Sequence, residues 1–293
     1  MIRIPEQLAD AVHEDDYPAR LEWLAALPQT VKEIADDWRL ALGDPYRPGG
    51  QCAWVAPART AEGEDRVLKV GWRHREAEHE ADALRFWDGD GAVRCFADRS
   101  MDDTTALLLE RCAPGTQLSR CLDEPEQDEV IAALLQRLWA HTPTGQDPFG
   151  SLEDICEEWA RSVEIGLELG PGIADPGLAR AGAEMLRELS RTADRAVLLA
   201  TDLHAENVLA AQREPWLVID PKPFIGDPAF DPVQHMLNCE LRLEADPPGL
   251  AHRMAELCEL DAGRVRLWLF ARCAQESPSS PSLEGIARRL ASR

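Results

Sequence analysis

The spacing of apolar positions changes along the chain, and each change marks a different kind of predicted structure. Up to about residue 36, apolar side chains recur every three or four positions, which predicts helices broken at Pro18 and Pro28. One further helical pattern, residues 74–87, lies among short apolar runs that are bounded by turn residues. These runs predict strands at 38–42, 52–55, 66–70, 93–97 and 105–110.

Beyond residue 114 the pattern is mainly helical, and strand-like runs return only between residues 197 and 219. The chain therefore predicts an α+β fold with two lobes. A small lobe, residues 1–113, is expected to be built on an antiparallel sheet, and a larger, mostly helical lobe spans residues 114–293. Long helices are predicted in the larger lobe at 126–141, 151–169, 176–194, 232–243 and 250–274.

Polar residues follow the strand-like runs of the larger lobe where those strands end. Asp202 and Asn207 lie in the loop after the run 197–200, and Asp220 comes directly after the run 216–219. Phosphoryl transfer needs a carboxylate to orient the attacking hydroxyl, and it needs oxygen ligands for Mg²⁺. This order matches the catalytic and metal loops of kinases, from which we take the roles, since spacing alone does not assign them.

The segments TDLHAEN and PWLVIDPKPFIGDPAFD together resemble the aminoglycoside phosphotransferase family, and within it the streptomycin 6-kinase and hydroxyurea kinase branch. The resemblance implies a protein-kinase-like two-lobed fold. It also implies transfer of the γ-phosphate of ATP to a hydroxyl group of an aminoglycoside, streptomycin being favoured, with hydroxyurea or another small metabolite as the alternative. Asp202 then corresponds to the catalytic base, and Asn207 and Asp220 correspond to Mg²⁺ ligands.

Other residues of this stretch are less clearly functional. Thr201 stands where many relatives have Gly or Trp, which leaves the local backbone open. We interpret His204 as a backbone-bonding scaffold residue and Asp231 as a residue that binds nearby backbone amides. Lys222 is left open between a phosphate contact and a solvated loop lysine.

The small lobe carries the residues that we expect to bind the nucleotide. Gly49 and Gly50 form a turn where the backbone is able to approach phosphates closely, although paired glycines are usually only a turn. Lys69 lies within a strand and is expected to reach the α- and β-phosphates. By the resemblance, a helical acid holds this lysine: Glu80 is favoured, with Glu76 as the alternative.

The resemblance also places the hinge between the lobes at residues 110–112. There, backbone groups of Glu110 and Cys112 are expected to bind the edge of adenine. The alternative is an ordinary strand end, followed by the turn at Pro114 and Gly115.

The net charge of the chain limits the kinds of molecule that it is expected to bind. The chain has 31 basic and 53 acidic side chains and a net charge of −22, which argues against nucleic acid as a partner. The same charge favours a cationic small-molecule substrate, although acidic surfaces mostly serve solubility. Acidic residues of the helix predicted at 151–169 are candidates for binding cations, but we favour a solvated face for them: Glu153, Asp154, Glu157 and Glu158.

Features that are missing from the sequence bear on metal binding and on the cellular location of the protein. The eight cysteines include no Cys-x-x-Cys pair, which argues against a zinc site. We expect a cytoplasmic protein with free thiols, because neither a secretory signal nor an apolar run of membrane-spanning length is present. No obligate protein partner is indicated. A protein kinase and a non-catalytic nucleotide-binding module remain weaker alternatives to the small-molecule kinase.

Overall fold

The computed structural model describes residues 2–15, 17–169, 175–278 and 280–291. These residues divide into two compact units, with the division between Gly115 and Thr116. The division falls two residues beyond the boundary that we predicted from the sequence. We refer to the two parts as the N-terminal and the C-terminal unit.

The N-terminal unit combines helices with an antiparallel sheet. Its strands pair in the order β1-β2-β3-β5-β4, so β3 lies between β2 and β5. A short 3-10 turn, Arg75–Ala77, precedes α3, so the predicted helix 74–87 begins later than expected. The elements are α1 Glu6–Asp15, α2 Pro18–Asp37, β1 Ala41–Leu42, β2 Ala53–Arg59, β3 Asp65–Trp72, α3 Glu80–Trp87, β4 Cys95–Ser100 and β5 Thr104–Glu110.

Helix α2 continues through Pro28, so the break predicted there is wrong. A proline inside a helix costs about 3 kcal/mol. Leu27, Val31 and Ile34 lie on either side of it and are almost fully buried. Burying such side chains stabilises by roughly 1.5–3 kcal/mol each, which outweighs the cost of the proline.

Helices α1 and α2 pack on one face of the sheet and form the core of this unit. The α1 residues Leu8 and Val12 are completely buried in it. The core therefore depends on Leu8 and Val12, which pack with strand residues from Trp54 to Ala106. The remaining buried members of the cluster are Trp23, Leu27, Val31, Ile34, Trp54, Ala56, Ala58, Leu68, Val70 and Ala106.

The C-terminal unit is mainly helical and carries short strands. Strand β10 pairs parallel to β6 and antiparallel to β7, and β8 pairs with β9. The sequence pattern does not predict β6 or β10, and the helices predicted at 232–243 and 250–274 are each divided. The elements are α4 Glu124–Trp139, β6 Gly150–Ser151, α5 Leu152–Leu169, α6 Pro176–Arg191, β7 Val197–Leu199, β8 Val208–Ala210, β9 Trp216–Val218, β10 Phe224–Gly226, α7 Pro232–Asn238, α8 Glu240–Ala245, α9 Pro247–Leu257, α10 Ala262–Glu276 and α11 Pro281–Ala291.

Aspartates start several of these helices. Asp123 accepts from the Glu126 N–H at 3.2 Å, and the Glu126 carboxylate accepts in return from the Asp123 N–H, which completes a capping box at α4. Asp175 and Asp261 cap α6 and α10 in the same position. Part of the acidic surplus therefore serves helix ends. No helix in the part of the chain described here is both long and apolar enough to cross a membrane.

Gly182 of α6 packs directly against α10, and we predict that Gly182→Ala destabilises the protein. A Cβ at this position would lie 2.6 Å from the Ala274 Cβ and 3.0 Å from the backbone nitrogen of Gln275. We expect a loss of about 1–3 kcal/mol in the free energy of unfolding, measured by urea denaturation. The gain in helix propensity, about 1 kcal/mol, opposes this loss.

Gly166→Ala is the matched control, since Gly166 is also helical and a Cβ there would meet no atom of the described residues within 4 Å. We expect this variant to be as stable as the wild type or more stable, by up to about 1 kcal/mol. Equal stabilisation by both substitutions would show that α6 and α10 do not pack as closely as described.

Candidate active site

The loop after β7 and the residue after β9 are joined by hydrogen bonds around Asn207. The Asn207 side chain donates from Nδ2 to the Asp202 carbonyl at 2.9 Å. The backbone carbonyl of Asn207 accepts from the N–H of Ile219, the residue before Asp220, at 2.9 Å. The C-terminal unit thus brings Asp202, Asn207 and Asp220 into one set of loops.

The oxygen atoms in this set suit a divalent cation. Since Asn207 uses its amide nitrogen for the bond to Asp202, its amide oxygen is the atom suited to a metal ligand. With the Asp220 carboxylate it makes a pair of oxygen donors of the kind that Mg²⁺ prefers. Lys222 donates to Asp220 Oδ1 at 2.5 Å, and its side chain is only 15% exposed. It is therefore not a solvated loop lysine.

Asp231 holds the start of the Asp202 loop from inside the unit. This residue has no exposure to solvent. It accepts hydrogen bonds from the backbone N–H groups of Ala200 at 3.1 Å and Thr201 at 2.7 Å, and from Trp139 Nε1 at 2.8 Å. The interpretation of Asp231 as an amide-binding residue is confirmed. Burial raises the pKa of Asp231 to about 6, while the N–H donors act in the opposite direction.

Thr201 adopts a left-handed backbone conformation, with φ of +46°. Such a conformation is costly for a β-branched residue and natural for glycine. The threonine is held by its N–H bond to Asp231 and by its hydroxyl, which donates to the Lys222 carbonyl at 2.5 Å. These bonds show how threonine is accommodated at the first position of the loop.

His204 contributes to the loop through its backbone. Its carbonyl accepts from the Asn207 N–H at 2.9 Å. Nδ1 of the ring is buried without a hydrogen-bond partner among the described residues, so the expected ring-to-backbone bond is not formed there. Burial lowers the pKa of His204, against the opposite effect of the Asp202 charge, and this favours the neutral ring at pH 7.

In the N-terminal unit, Lys69 and Glu80 form a buried ion pair. Lys69 Nζ donates to both carboxylate oxygens of Glu80, at 2.7 and 2.6 Å. The side chains are 11% and 3% exposed. Lys69 stands opposite Val55 of β2 and Leu107 of β5, and Glu80 is the first residue of α3. Glu80, rather than Glu76, is the acid that pairs with this lysine.

Comparison with known proteins places this geometry in a family. The sequence model of the aminoglycoside/hydroxyurea antibiotic resistance kinases matches residues 41–279. The chain belongs to this kinase family. It is 34% identical to the streptomycin 6-kinase of Streptomyces griseus, over 94% of this chain and 90% of the relative. It is also 34% identical to the hydroxyurea phosphotransferase of Kitasatospora aureofaciens, over 94% of this chain and 79% of the relative.

A solved structure agrees with the protein-kinase-like fold. An aminoglycoside phosphotransferase from Streptomyces rimosus, in complex with ADP and streptomycin, superposes with a TM-score of 0.57 at 19% identity. The match covers 89% of this chain and 98% of that protein. The predicted fold class, an α+β protein-kinase-like fold, is confirmed.

The fold of this kinase explains one of the turn glycines but not the other. Gly49 has φ of +100°, and a Cβ there would lie 2.6 Å from the Cβ of Pro5. Gly49 is therefore required by packing, whatever else it binds. At Gly50, the described residues would offer a Cβ one neighbour, the Ala53 carbonyl oxygen at the ordinary distance of 3.5 Å. A close approach to phosphate remains a prediction for both glycines. Packing does not explain why residue 50 is a glycine, so a phosphate contact would account for it.

The predicted hinge is partly engaged in the sheet. The Glu110 N–H donates to the Arg94 carbonyl at 2.8 Å, and the Glu110 carboxylate accepts from the Arg94 N–H at 3.1 Å. Gly115 closes the segment with φ of +73°, and a Cβ there would lie 2.9 Å from the Cys112 carbonyl oxygen. The adenine contacts of Glu110 and Cys112 remain predictions.

The acidic residues of α5 bind arginines of α6. Arg187 forms ion pairs with Glu157 at 2.8 Å and Glu164 at 2.6 Å, and Arg191 pairs with Glu153 at 2.8 Å. These hydrogen bonds lower the pKa of Glu157 and of Glu164. Glu153, Asp154 and Glu158 are exposed and Glu157 is half-buried, so the favoured interpretation of a solvated face is confirmed. On that face, Glu153 and Glu157 also link α5 to α6.

A buried polar cluster lies elsewhere in the C-terminal unit. Potential ligand atoms of Asp128, His235 and Cys239 lie within 4.8 Å of one another. Asp128 accepts from His235 Nε2 at 2.9 Å, Arg242 at 2.7 Å and Arg253 at 2.7 Å, and these donors hold its pKa well below the usual range. Because the arginines already supply positive charge, we interpret the cluster as an ionic link between α4 and α7–α9 rather than a metal site.

Sequence reasoning missed the partners of the site aspartates. Trp139, which binds Asp231, is 92 positions away, and nothing in its local sequence signals this role. Asp227 of the Gly-Asp-Pro segment is 3% exposed and accepts from Trp268 Nε1 at 2.6 Å and Arg264 Nε at 2.5 Å. Its place in the family pattern is a signal that marks it, and its role is to fix α10.

We predict a pH-dependent difference in stability between the wild type and Asp231→Asn. A carboxyl group whose pKa is raised on folding stabilises the protein at low pH, and this contribution is lost as the pH rises through the folded pKa of about 6. The advantage of the wild type over the variant should therefore shrink by about 1 kcal/mol between pH 5 and pH 7. Urea denaturation at a series of pH values measures it.

The sign of this change tests the cause. An advantage that grows with pH would mean that the N–H donors of Trp139, Ala200 and Thr201 outweigh burial. Trp139→Phe serves as the control, since it removes one donor and keeps the carboxyl group, so its stability difference from the wild type should grow with pH.

Proposed function

We propose that this kinase transfers the γ-phosphoryl group of ATP to a hydroxyl group of an aminoglycoside, with streptomycin as the favoured acceptor. The observation that carries the proposal is the hydrogen-bonded set of Asp202, Asn207 and Asp220 in a chain of this family. The relatives at 34% identity include kinases for streptomycin and for hydroxyurea, so identity does not choose between these acceptors. The net charge of −22 favours the cationic one, because a negative surface attracts positive ligands.

Asp202 acts on the acceptor. Its carboxylate orients the hydroxyl and takes its proton as the oxygen attacks the γ-phosphorus. The bond between that phosphorus and the β,γ-bridging oxygen breaks, and ADP leaves. Asn207 keeps the loop in place by its bond to the Asp202 carbonyl, which reduces the reorganisation needed at the moment of transfer.

The remaining residues act on the nucleotide. Mg²⁺, when bound, would neutralise charge on the phosphates, and Asn207 and Asp220 are the residues that would hold it. Lys69, fixed by Glu80, stabilises the α- and β-phosphates. Gly49 and Gly50 give the backbone close access to phosphate oxygens, and the segment from Glu110 to Cys112 binds adenine.

Hydroxyurea is the second candidate acceptor, supported by the relative that phosphorylates it. It is small and uncharged, so it gains nothing from the acidic surface. The two acceptors therefore differ in charge, and the sequence has a clear charge preference because its own net charge is −22.

We predict that streptomycin stimulates ADP release by the purified protein in the presence of Mg-ATP, whereas hydroxyurea at the same concentration stimulates it less. A coupled ADP assay measures both rates, with acceptor-free protein as the baseline. If hydroxyurea stimulates ADP release and streptomycin does not, hydroxyurea is the acceptor. A rate of ADP release that neither compound raises above the acceptor-free baseline would exclude both compounds as acceptors.

Two substitutions separate the roles of the aspartates. Asp202→Asn should lower kcat by about 10²–10⁴-fold, while Mg-ATP binding stays near that of the wild type. Asp220→Ala should lower kcat and also weaken Mg-ATP binding, measured by calorimetric titration without acceptor. Asp36→Asn, at an exposed position of α2, is the control and should change neither quantity. Wild-type turnover by Asp202→Asn would eliminate this residue as the base.

A further inference from the structure

Residues 2–40 lie before the region matched by the family, yet they contact the glycine turn, which we define as residues 43–52. We infer that Arg20 of α2 is a positioning residue that fixes this turn and thereby sets the affinity for the nucleotide. The inference rests on the proposed function, in which the turn contacts phosphate. It concerns the nucleotide and not the acceptor.

Arg20 is the centre of the contact. It is 8% exposed, which is unusual for an arginine. One guanidinium nitrogen donates to Asp15 of α1, and the other donates to the Gln51 carbonyl at 2.7 Å and lies 3.5 Å from Cys52 Sγ. A charged donor makes a stronger hydrogen bond to a carbonyl than a neutral one does. Arg20 therefore links both N-terminal helices to the end of the turn.

The start of the chain holds the same turn at other points. Pro5 packs where a Cβ of Gly49 would lie, and the Arg3 carbonyl accepts from Trp54 Nε1 at 2.9 Å. Gly49 and Trp54 flank the carbonyl that Arg20 binds. Residues that precede the matched region thus hold the turn at Gly49 and Gln51 and also hold the start of β2 at Trp54.

The Arg20 bonds and the packing of Pro5 on Gly49 hold a turn that otherwise borders open space. A cavity of about 730 Å³ separates α1 from the turn, and its walls include Asp10 and Glu14 on one side and Pro45 and Arg47 on the other. A turn that borders open space is free to shift unless specific bonds hold it. Ordering it would then cost entropy when the nucleotide binds.

The turn leads directly into β2, which pairs with β3, the strand that carries Lys69. The Cys52 carbonyl accepts from the Trp72 N–H at 2.8 Å, and β2 then pairs with β3 so that Val55 stands opposite Lys69. A shift of Gln51 and Cys52 therefore changes the spacing between the turn and Lys69. Both are expected to contact phosphate oxygens, so this spacing affects the binding of ATP.

Direct titration of the full chain with Mg-ATP, without acceptor, tests the inference. Arg20→Gln should raise the Kd for Mg-ATP about tenfold, because binding must then order a turn that the Arg20 bond no longer holds. Arg20→Lys, which keeps the charge, should restore part of this affinity. In turnover assays the KM for ATP should rise with the Kd, while the KM for the acceptor stays unchanged.

Val12→Ala is the matched control. It removes buried volume from α1 in the same core and leaves the Arg20 bonds intact, so it should lower Tm without a change of more than about twofold in Kd. If Arg20→Gln does not fold, Arg20→Lys and Pro5→Ala carry the same comparison and should each raise the Kd.

Several results would overturn the inference. They are a folded Arg20→Gln variant with wild-type affinity, and a Val12→Ala variant that loses as much affinity as Arg20→Gln. Failure of the wild type to bind Mg-ATP would overturn it together with the nucleotide site. Wild-type binding of Mg-ATP without turnover of streptomycin would contradict only the acceptor, because the titration contains none.

Discussion

The Asp202 loop depends on a carboxylate that never meets solvent. Asp231 binds the N–H groups of Ala200 and Thr201 at the point where β7 ends and the loop begins. Its bond to Trp139 ties the same carboxylate to α4, so the loop is fixed to the helical core and not only to its own hairpins. Burying a charge is costly unless it is satisfied by donors, and those donors also require the loop to keep this conformation.

A similar constraint operates in the N-terminal unit through Lys69 and Glu80. A buried ion pair contributes little net stability, since desolvation opposes the attraction between its charges. What the pair does provide is position: bonds from Nζ to both oxygens of Glu80 hold the ammonium at the junction of β3 and α3. In each unit, a buried polar group thus fixes the position of another part of the structure. Asp231 orders backbone, whereas Glu80 orders a side chain.

How much the sequence predicts depends on the range of the interaction. Asp202, Asn207 and Asp220 follow strand ends within 18 residues of one another, so local pattern and the family motif suffice to predict that they lie in one set of loops. The Lys69–Glu80 pair spans 11 positions and follows from a strand and the helix after it. Trp139 is 92 positions from Asp231, and Pro5 is 44 positions from Gly49, so only the tertiary fold brings them together. The continuation of α2 through Pro28 has the same origin, because burial of its apolar face overrides a local signal.

The same distinction applies to the acidic charge. The sequence offers acidic residues of α5 as cation ligands but favours a solvated face, and in the structure Arg187 and Arg191 pair with Glu157 and Glu153 on that face. Aspartates at helix starts are likewise bound to backbone N–H groups. A preference for a cationic acceptor therefore does not follow from α5. It follows from the net charge of the whole chain, whose field acts over about a Debye length and concentrates cations before any specific contact forms. Such a field raises the rate of encounter with any cationic ligand, whichever side chains then bind it.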